Sequence, residues 1–264
     1  MNEKTFAPKA QHSGEALDSV VRIGEVTFAK VDDTELLTIV EGAVAAKRPL
    51  SIVHPNVHHL DICRSEPALV TALSGFDYIV PDGVGVYLAA RFLHGRAGGF
   101  RRRQTGTDFY FSLLKLASNL RWRIFFLGDT PEVLDALVAR LKRDYEGVIV
   151  AGVHDGFFDP EERSVVEMAR ASKADLLMIG MGAPRQELWL QNNKEMLDIP
   201  VSIVVGAGIS FMSGVKKRAP MWVRAVGLEW LYRTTQEPRR LWRRYIVGIP
   251  AFFFYLLRLK LRTK

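Results

Sequence analysis

Two polar side chains follow apolar runs of the kind that form buried strands. Asp82 comes shortly after the run Phe76–Val80, and His54 comes directly after the run Pro49–Val53. A carboxylate at the carboxyl end of a strand is well placed to act as a general base, and an imidazole there can exchange a proton or bind a hydroxyl group. Asp82 also has a structural alternative, because aspartate is common in turns and at helix starts. Both residues are candidate catalytic groups.

Three histidines, His54, His58 and His59, lie close together in the segment HPNVHH. The first two have the i, i+4 spacing of a helical metal site. Pro55 and the preceding strand, however, disfavour a shared helical face. The single cysteine, Cys63, excludes a disulfide framework and a cysteine-based zinc site. We therefore expect no metal site and no cofactor.

The elements that must position these side chains are short apolar runs that alternate with helical patterns. Continuous apolar strands separated by helices are typical of a parallel sheet with helices on both faces. The sequence therefore predicts an α/β, Rossmann-like fold, in which ligands bind beyond the carboxyl ends of the strands. The predicted strands are Pro49–Val53, Phe76–Val80, Arg123–Leu127, Val148–Val150, Asp175–Ile179 and Val201–Val205. The predicted helices are Asp61–Ser74, Val84–Leu93, Glu132–Tyr145 and Pro184–Leu197.

Glycine-containing turns follow three of the predicted strands, as Gly128-Asp129, Gly180-Met181-Gly182 and Gly206-Ala207-Gly208. Backbone N–H groups in such turns can hold a diphosphate, although a glycine after a strand often serves only the turn. The spacing G-x-G-x-x-G and the segment G-x-x-x-x-G-K-[ST] are both absent from the sequence. Their absence argues against a nicotinamide dehydrogenase and a P-loop NTPase.

Charge divides the 264 residues into a mildly acidic body and a basic tail. The whole chain has a net charge of +7, but its last 50 residues, from Val215, hold 13 Lys or Arg and only two acids, which leaves −4 for the rest. We predict a flexible leader at 1–18, a catalytic body at 19–214 and a basic helical appendage at 215–264. A basic tail implies an anionic partner, which is nucleic acid, anionic lipid or a phosphorylated substrate.

The tail also combines arginine with apolar residues. Arg233, Arg240 and Arg243 fall on one helical face if the helix continues through the intervening proline, and arginine forks match pyrophosphate oxygens. The 12-residue apolar run at 246–257 is too short to span a bilayer. With its basic flanks it suits an interfacial anchor. We therefore predict a cytoplasmic protein that is peripheral on the inner face of the cytoplasmic membrane.

Seven segments, in order along the chain, resemble the WecG/TagA/CpsF group of bacterial glycosyltransferases, glycosyltransferase family 26. They are HPN at 54–56, PDGVG at 81–85, RQTGTD at 103–108, FFLGDTPEVL at 125–134, GMGAPRQELW at 180–189, VGAGISFMSG at 205–214, and RAP…GLEWLYR…EPRR between 218 and 240. The resemblance implies an inverting, metal-independent transfer of a sugar. The donor would be a uridine-diphosphate (UDP) sugar and the acceptor a polyprenyl-diphosphate-linked sugar, at the cytoplasmic membrane face.

The resemblance also implies roles for individual residues. Asp82 becomes the candidate general base, Arg103 and Gln186 line the substrate pocket, and the appendage completes the site. His54 remains a second candidate base. The candidate substrate-binding residues are Asn56, Arg103, Gly128, Asp129, Gly182, Gln186, Glu187, Gly206, Arg233, Arg240 and Arg243. The expected partners are the two substrates and the membrane surface, which residues 215–264 would contact; a homo-oligomer is left open.

Two departures from the family pattern bear on specificity. Many members carry Thr in place of His54, and many carry Asp in place of Ser210. The chain looks most like the exopolysaccharide branch, and within it the xanthan type, so glucose is the expected donor sugar; N-acetylmannosamine or its uronic acid is the alternative. A basic module without catalysis, bound to nucleic acid or membrane, would also explain the tail. The apolar run fits nucleic acid poorly, so we expect no nucleic-acid partner.

Overall fold

The computed structural model describes residues 20–236, 238–239 and 248–262. The strands are β1 (Val20–Ile23), β2 (Val26–Ala29), β3 (Leu50–Val53), β4 (Tyr78–Ile79), β5 (Arg123–Gly128), β6 (Ile149–His154), β7 (Leu176–Gly180) and β8 (Val201–Val204). The helices are α1 (Asp33–Ala45), α2 (Val57–Ile62), α3 (Pro67–Ser74), α4 (Gly83–Gly98), α5 (Gly106–Asn119), α6 (Pro131–Asp144), α7 (Arg163–Ala171), α8 (Arg185–Leu197), α9 (Gly208–Ser213), α10 (Met221–Ala225), α11 (Glu229–Gln236) and α12 (Gly248–Arg262).

Six strands form one parallel sheet in the order β4-β3-β8-β7-β5-β6, while β1 and β2 form a separate antiparallel hairpin. Successive residues of a strand point to opposite faces of the sheet. In β5, Phe125 and Leu127 pack into one hydrophobic cluster, with residues of α3, α4, α7 and α8. Ile124 and Phe126 pack into the other, with residues of α1, α5, α6 and α9. The predicted α/β fold with helices on both faces is confirmed.

The strand order decides which loops meet. Because β8 lies between β3 and β7, and β4 lies beside β3, the carboxyl ends of β4, β3 and β8 are neighbours. Those ends carry the segments that contain Asp82, His54 and Gly206. The topology therefore gathers candidate residues that are about 150 positions apart in sequence at one edge of the sheet.

One predicted helix is wrong in its extent. The segment Asp61–Ser74 is divided between α2, which is capped at Cys63, and α3, whose first residue is Pro67. A proline disfavours the helical conformation of the residue before it, and Glu66 is indeed non-helical, with φ −121° and ψ 86°. β4 has two residues instead of the five predicted, and β6 runs from Ile149 to His154 instead of Val148–Val150. The β1–β2 hairpin and the helices α1, α5 and α7 have no counterpart in the sequence-based prediction.

The appendage is helical where it is described, in α10, α11 and α12. Helix α12 packs on α2 and α4, with Phe252 and Leu256 inserted into the first hydrophobic cluster. Lys260 Nζ donates to the carbonyl oxygen of Phe92 at 2.7 Å. Within the described ranges, no helix combines the length and the hydropathy that crossing a membrane requires. The predicted leader and the predicted ligands Arg240 and Arg243 lie outside the described residues.

Candidate active site

Asp82 stands at the N-cap position of α4, but its carboxylate does not cap that helix. Oδ1 instead accepts a hydrogen bond from the backbone N–H of Gly106 at 2.9 Å, and Oδ2 accepts one from Nδ2 of Asn56 at 3.3 Å. A carboxylate has about four acceptor positions on its two oxygens, so positions remain for a substrate hydroxyl. The two hydrogen bonds fix the carboxylate while leaving it able to take a proton.

Asn56 is oriented by its own helix. Its Oδ1 accepts a hydrogen bond from the backbone N–H of His58 at 3.0 Å, as an N-cap of α2. Because one end of the amide is engaged as an acceptor, the other end, Nδ2, is the donor that faces Asp82. The Asn–Asp pair therefore joins the loops that follow β3 and β4.

Asp82 opens into a cleft of about 1210 Å³ between the body and the appendage. Its polar lining includes Asn56, Asp82 and Arg103, which meet where α4 begins, and Arg233 from the appendage. Its apolar lining is formed further along α4 and on α12, where the rings of Phe92 and Phe253 lie 6.1 Å apart between centroids; it comprises Leu88, Ala89, Phe92, Ala251, Phe252, Phe253 and Leu256. The structure thus brings together four of the predicted site residues, two from strand ends, one from the loop before α5 and one from the appendage.

Two arginine side chains that line the cleft are held in place, one by a backbone carbonyl group and the other by an aromatic ring. The guanidinium of Arg103 donates to the carbonyl oxygen of Arg224 at 2.6 Å. The guanidinium of Arg233 lies over the ring of Phe211, 5.2 Å from its centroid. Stacking on an aromatic face or bonding to a carbonyl restricts a long side chain, so both guanidinium groups are held in the lining of the cleft.

His54 is not part of the cleft lining. Its side chain is 6% exposed and packs against Phe109 and Tyr110, with ring centroids 5.2 and 5.3 Å away. Neither ring nitrogen has a hydrogen-bond partner, and burial lowers the pKa of His54 to about 4, against a small opposing effect of Asp82. The ring is therefore out of hydrogen-bond reach of a substrate in the cleft, whereas the Asp82 carboxylate lines it. Between the two candidates, the geometry favours Asp82.

The remaining predicted ligands form a second group at the ends of β5, β7 and β8. Asp129 receives the hydroxyl hydrogen bond of Ser210 and lies at a φ of 62°, while Gly206 has a φ of 53°. Oε1 of Gln186 accepts from the backbone N–H of Gly182 at 3.1 Å. At Gly128, an added Cβ would lie 2.3 Å from the carbonyl oxygen of Gly180, so this position needs glycine for packing. None of this second group lines the cleft.

Glu187 is entirely buried, at 0% exposure, and Gln186 is 2% exposed. Oε1 of Glu187 is 2.7 Å from Nε2 of Gln186 and 3.1 Å from Nε2 of His59. These residues lie behind the Asn56–Asp82 pair and not on the surface of the cleft. His59 was not predicted as a site residue, and only its place in the HPNVHH segment pointed to it.

A charged cluster that the sequence did not reveal joins the appendage to the body. Oδ1 of Asp108 accepts from Arg218 at 2.7 Å and from Arg224 at 3.2 Å, and its Oδ2 accepts from the hydroxyl of Thr105 at 2.5 Å. Burial raises the pKa of Asp108, but the hydrogen bonds and the two guanidinium charges outweigh this and hold it below its usual value. Partners more than 100 residues apart leave no local pattern in a sequence.

The geometry can be compared with known proteins. Residues 21–264 match the sequence family described as the glycosyl transferase WecG/TagA/CpsF family. The chain belongs to this family. Its members are glycosyl transferases by description, so the resemblance carried by the seven segments is confirmed, and the cleft around Asp82 is the candidate active site of a WecG/TagA/CpsF glycosyl transferase.

Two similar members of this family share one name, which describes a single reaction. An N-acetylglucosaminyldiphosphoundecaprenol N-acetyl-beta-D-mannosaminyltransferase of Staphylococcus aureus (strain MW2) is 30% identical over 238 residues, which cover 88% of this chain and 91% of the relative. A transferase of the same name from Bacillus spizizenii is 32% identical over 192 residues, 73% of this chain and 72% of the relative. These relatives are mannosaminyltransferases and not glucosyltransferases, so the comparisons favour the alternative donor over glucose.

Proposed function

We propose that this chain transfers a sugar from a UDP-sugar to a sugar that is linked through a diphosphate to a polyprenyl lipid. The observation that carries the proposal is the two-ended cleft. The Asp82 carboxylate, fixed by two hydrogen bonds, and Arg103 lie at one end, Arg233 is also in the lining, and side chains further along α4 and on α12 form the apolar end. A lipid-linked sugar diphosphate has the same sequence of groups, since its apolar chain, its charged diphosphate and its hydroxyl-rich sugar follow one another.

Asp82 is the proposed general base. The acceptor hydroxyl oxygen forms a bond to the anomeric carbon of the donor sugar, and its proton moves to the Asp82 carboxylate. The bond from that carbon to the diphosphate breaks, and UDP leaves with the electron pair. A single displacement of this kind inverts the configuration at the anomeric carbon, so an α-linked donor gives a β-linked product. A base in hydrogen-bond reach contributes about 10²- to 10⁴-fold to such a rate.

Arginines are proposed to stabilise the charge that develops on the leaving diphosphate. Arg103 and Arg233 border the cleft, and Arg240 and Arg243 are retained as proposed ligands from the family resemblance. Removing one pre-positioned donor to such a charge typically costs about 3–4 kcal/mol of barrier. If the arginines suffice, excess EDTA will leave the turnover unchanged; loss of turnover on chelation, and its return with Mg²⁺ or Mn²⁺, would show that a metal ion supplies this charge.

The donor is proposed to be UDP-N-acetylmannosamine, and the acceptor an N-acetylglucosaminyl diphosphate lipid, because the similar relatives carry that reaction in their names. Glucose remains the second candidate on one observation. The chain departs from the family resemblance at His54, where many members have threonine, and this buried side chain packs close to Gly106, whose N–H holds Asp82. The turns of the second group, with Gly128, Asp129, Gly182 and Gly206, are proposed to shape the donor end of the site.

Contact with the membrane is proposed for the appendage. Ten of the seventeen large apolar side chains that are exposed in the described residues lie from Val215 onward, although that part is much the shorter. Phe253 is 53% exposed and Phe254 is 63% exposed on α12, the helix that also lines the apolar end of the cleft. An amphipathic helix with basic flanks binds anionic lipid surfaces, which would place the cleft at the level of its lipid substrate.

The experiment that tests the function is a donor comparison with the purified chain. The acceptor is N-acetylglucosaminyl diphosphate on a shortened polyprenyl chain, and the donors are UDP-N-acetylmannosamine and UDP-glucose at equal concentration. Product detected by mass spectrometry with the first donor supports the proposal, and product with the second alone assigns glucose. Release of UDP without a glycosylated lipid in either mixture, at a rate that equals the Asp82→Asn control, would overturn the transferase assignment.

A further inference from the structure

A chain of polar groups, buried at Glu187 and His59 and half-buried at Asn56 and Asp82, runs from the interior of the body to the Asp82 carboxylate. It begins at Glu187 on α8, passes through His59 on α2 and Asn56, and ends at the Asp82 carboxylate. The three contacts measure 3.1, 3.2 and 3.3 Å. Three strand-end segments, those after β7, β3 and β4, are linked by this chain, so it connects the core of the body to the candidate base.

Because Glu187 is buried, leaving its carboxylate without hydrogen-bond partners would cost free energy. Glu187 is 0% exposed, and its Oε2 has no hydrogen-bond partner. Its Oε1 is approached by Nε2 of His59 and Nε2 of Gln186. A buried carboxylate without donors loses several kcal/mol of solvation. A small apolar side chain here would avoid that loss, so the need for packing alone does not explain a carboxylate at this point.

The donors and acceptors along the chain fix the proton on His59. The backbone N–H of Asn56 donates to Nδ1 of His59, in the capping box that opens α2. A backbone N–H can only donate, so Nδ1 must present its lone pair. Nε2 then carries the ring hydrogen, and the Glu187 carboxylate accepts it. Oδ1 of Asn56 also lies 3.2 Å from Nδ1, but it already accepts from the N–H of His58, whereas the backbone N–H of Asn56 has Nδ1 as its acceptor.

We propose that His59 and Glu187 are positioning residues for Asp82. Glu187 selects the ring orientation and the Nε2-protonated form of His59. His59 in turn holds the Asn56 backbone, so that the Asn56 side chain presents Nδ2 to the Asp82 carboxylate. The inference rests on the proposed function, because it assumes that Asp82 is the base. It predicts that breaking either end of the His59 contact will displace the carboxylate and slow the chemical step.

The competing explanation is purely structural: His59 merely supplies a donor to a buried carboxylate. Two substitutions separate the explanations. In His59→Gln the amide can still reach Glu187, as Nε2 does, but loses the contact with Asn56. In His59→Asn the shorter amide can still meet Asn56, as Nδ1 does, but loses Glu187. A structural role is fulfilled by the glutamine, whereas the positioning role requires both contacts and is fulfilled by neither.

The test uses the full chain with UDP-N-acetylmannosamine, or UDP-glucose if that is the donor turned over, and the shortened N-acetylglucosaminyl diphosphate lipid. The variants are His59→Gln, His59→Asn and Glu187→Gln, with His94→Asn as the matched control. His94 is an exposed histidine on α4, and its Nε2 contacts the carbonyl oxygen of Arg22. We expect kcat to fall about 100-fold in all three, as for a misplaced reacting group. KM for both substrates should change by less than about 2-fold.

Several results would overturn the inference. If His59→Gln keeps a near-normal kcat and only His59→Asn loses kcat, then His59 has a structural role and no positioning role. A raised KM with unchanged kcat would assign the chain to substrate binding. If His59→Asn fails to fold, the kcat of Glu187→Gln decides between the two roles. That variant keeps the size of the side chain and one hydrogen-bond contact. Heteronuclear NMR of the unmodified chain adds a readout independent of turnover, and a His59 protonated on Nδ1 alone would contradict the chain.

The failure of the inference can be distinguished from the failure of the proposed function. If Asp82→Asn keeps full turnover, Asp82 is not the base and the proposed mechanism falls first. If Asp82→Asn is inactive while all three chain variants match the His94→Asn control, only the positioning role falls. Calorimetric binding of UDP to each variant, expected to be the same as in the unmodified chain, confirms that every comparison is made on folded protein.

Discussion

The body and the appendage are held together by different kinds of contact. In the body, the strands are buried on both faces, and their side chains interlock with helices in two clusters that are separate across the sheet. In the described part of the appendage, only Ala219, Val223, Phe252 and Leu256 are buried hydrophobic residues. The appendage is attached instead by an ionic cluster at Asp108 and by one face of α12.

This difference indicates a division of labour. A large apolar core fixes Asp82 and Asn56 to within the tolerance that a proton transfer demands. We expect the more lightly attached appendage, whose Arg233 lines the same cleft, to detach at a lower cost in free energy than an element of the body. Substrates as large as a lipid-linked sugar need such an opening, so the contrast between the regions is what the proposed reaction requires.

The sharpest test of the contrast removes residues 215–264. The body should stay folded, since the described appendage contributes only Phe252 and Leu256 to the buried residues of the first hydrophobic cluster and none to the second. Transfer should become undetectable, a loss of at least about 10⁴-fold, because donor arginines and water exclusion are lost together. Circular dichroism and the lipid-product assay measure the two effects. A truncated body with normal transfer would show that the site is complete without the appendage.

The milder change Phe254→Ser addresses the membrane role of the same segment. It should weaken co-sedimentation with anionic vesicles while leaving turnover of a short-chain acceptor in solution unchanged.

The second largest effect is expected within the body. Asp82→Asn keeps the shape of the side chain but removes its basicity, so kcat should fall by about 10²- to 10⁴-fold. The thermal midpoint should fall by only a few degrees, because the amide can still accept from the N–H of Gly106 and loses only the hydrogen bond from Nδ2 of Asn56. Asp135→Asn, an exposed carboxylate on α6, is the control and should match the unmodified chain. An Asp82→Asn variant with kcat within about 2-fold of normal would remove Asp82 from the mechanism.

A pair of core truncations compares the two regions directly. Phe126→Ala, at 0% exposure in β5, should cost about 3–5 kcal/mol of unfolding free energy, with kcat of the folded fraction within about 3-fold of normal. Phe252→Ala, at 5% exposure in α12, should cost less than about half as much, because α12 can detach while the body stays folded. Its kcat should nevertheless fall about 10-fold or more. Urea unfolding measures the loss of stability, and steady-state kinetics measure the loss of kcat. If the ratio of these two losses is the same in both variants, the division of labour is contradicted.

The predictability of the molecule follows the same division. Patterns of 4–8 residues identified four of the six strands of the main sheet closely, because each of those strands is apolar and bounded by turn residues. The prediction for β6, Val148–Val150, shares only two residues with the observed strand, which continues through Gly152 to His154. The strand β4 has only two residues, and the pairing of β1 with β2 involves no strong apolar run, so local patterns could not define either. The break before Pro67 was readable in principle but was masked by apolar residues on both sides.

For the site, sequence reasoning found Asp82, Asn56, Arg103 and Arg233, which the structure places around one cleft. It could not find the pairing of Asp108 with Arg218 and Arg224, or of His59 with Glu187. Such pairs depend on the order of strands in the sheet and on how the appendage folds back. Individual residue types were visible, whereas the distances between them arise only from the tertiary fold.

The smallest expected effect concerns His54, the residue that most resembled a second base. Burial holds its pKa at about 4, below the 6.5 of an exposed histidine. Between these values the unfolded chain binds a proton that the folded chain does not, so stability contributed by this residue is lost as pH falls from about 7 to 4. The loss is about 3 kcal/mol.

Replacing His54 with leucine should remove that part of the pH dependence, while other titrating groups act equally on both chains. The measurement is the difference in unfolding free energy between pH 7 and pH 4.5, by urea titration of the unmodified chain and of His54→Leu. The unmodified chain should lose more stability on acidification than the variant does. Equal losses would mean that His54 takes up its proton in the folded state, and such a histidine would return as a candidate base beside Asp82.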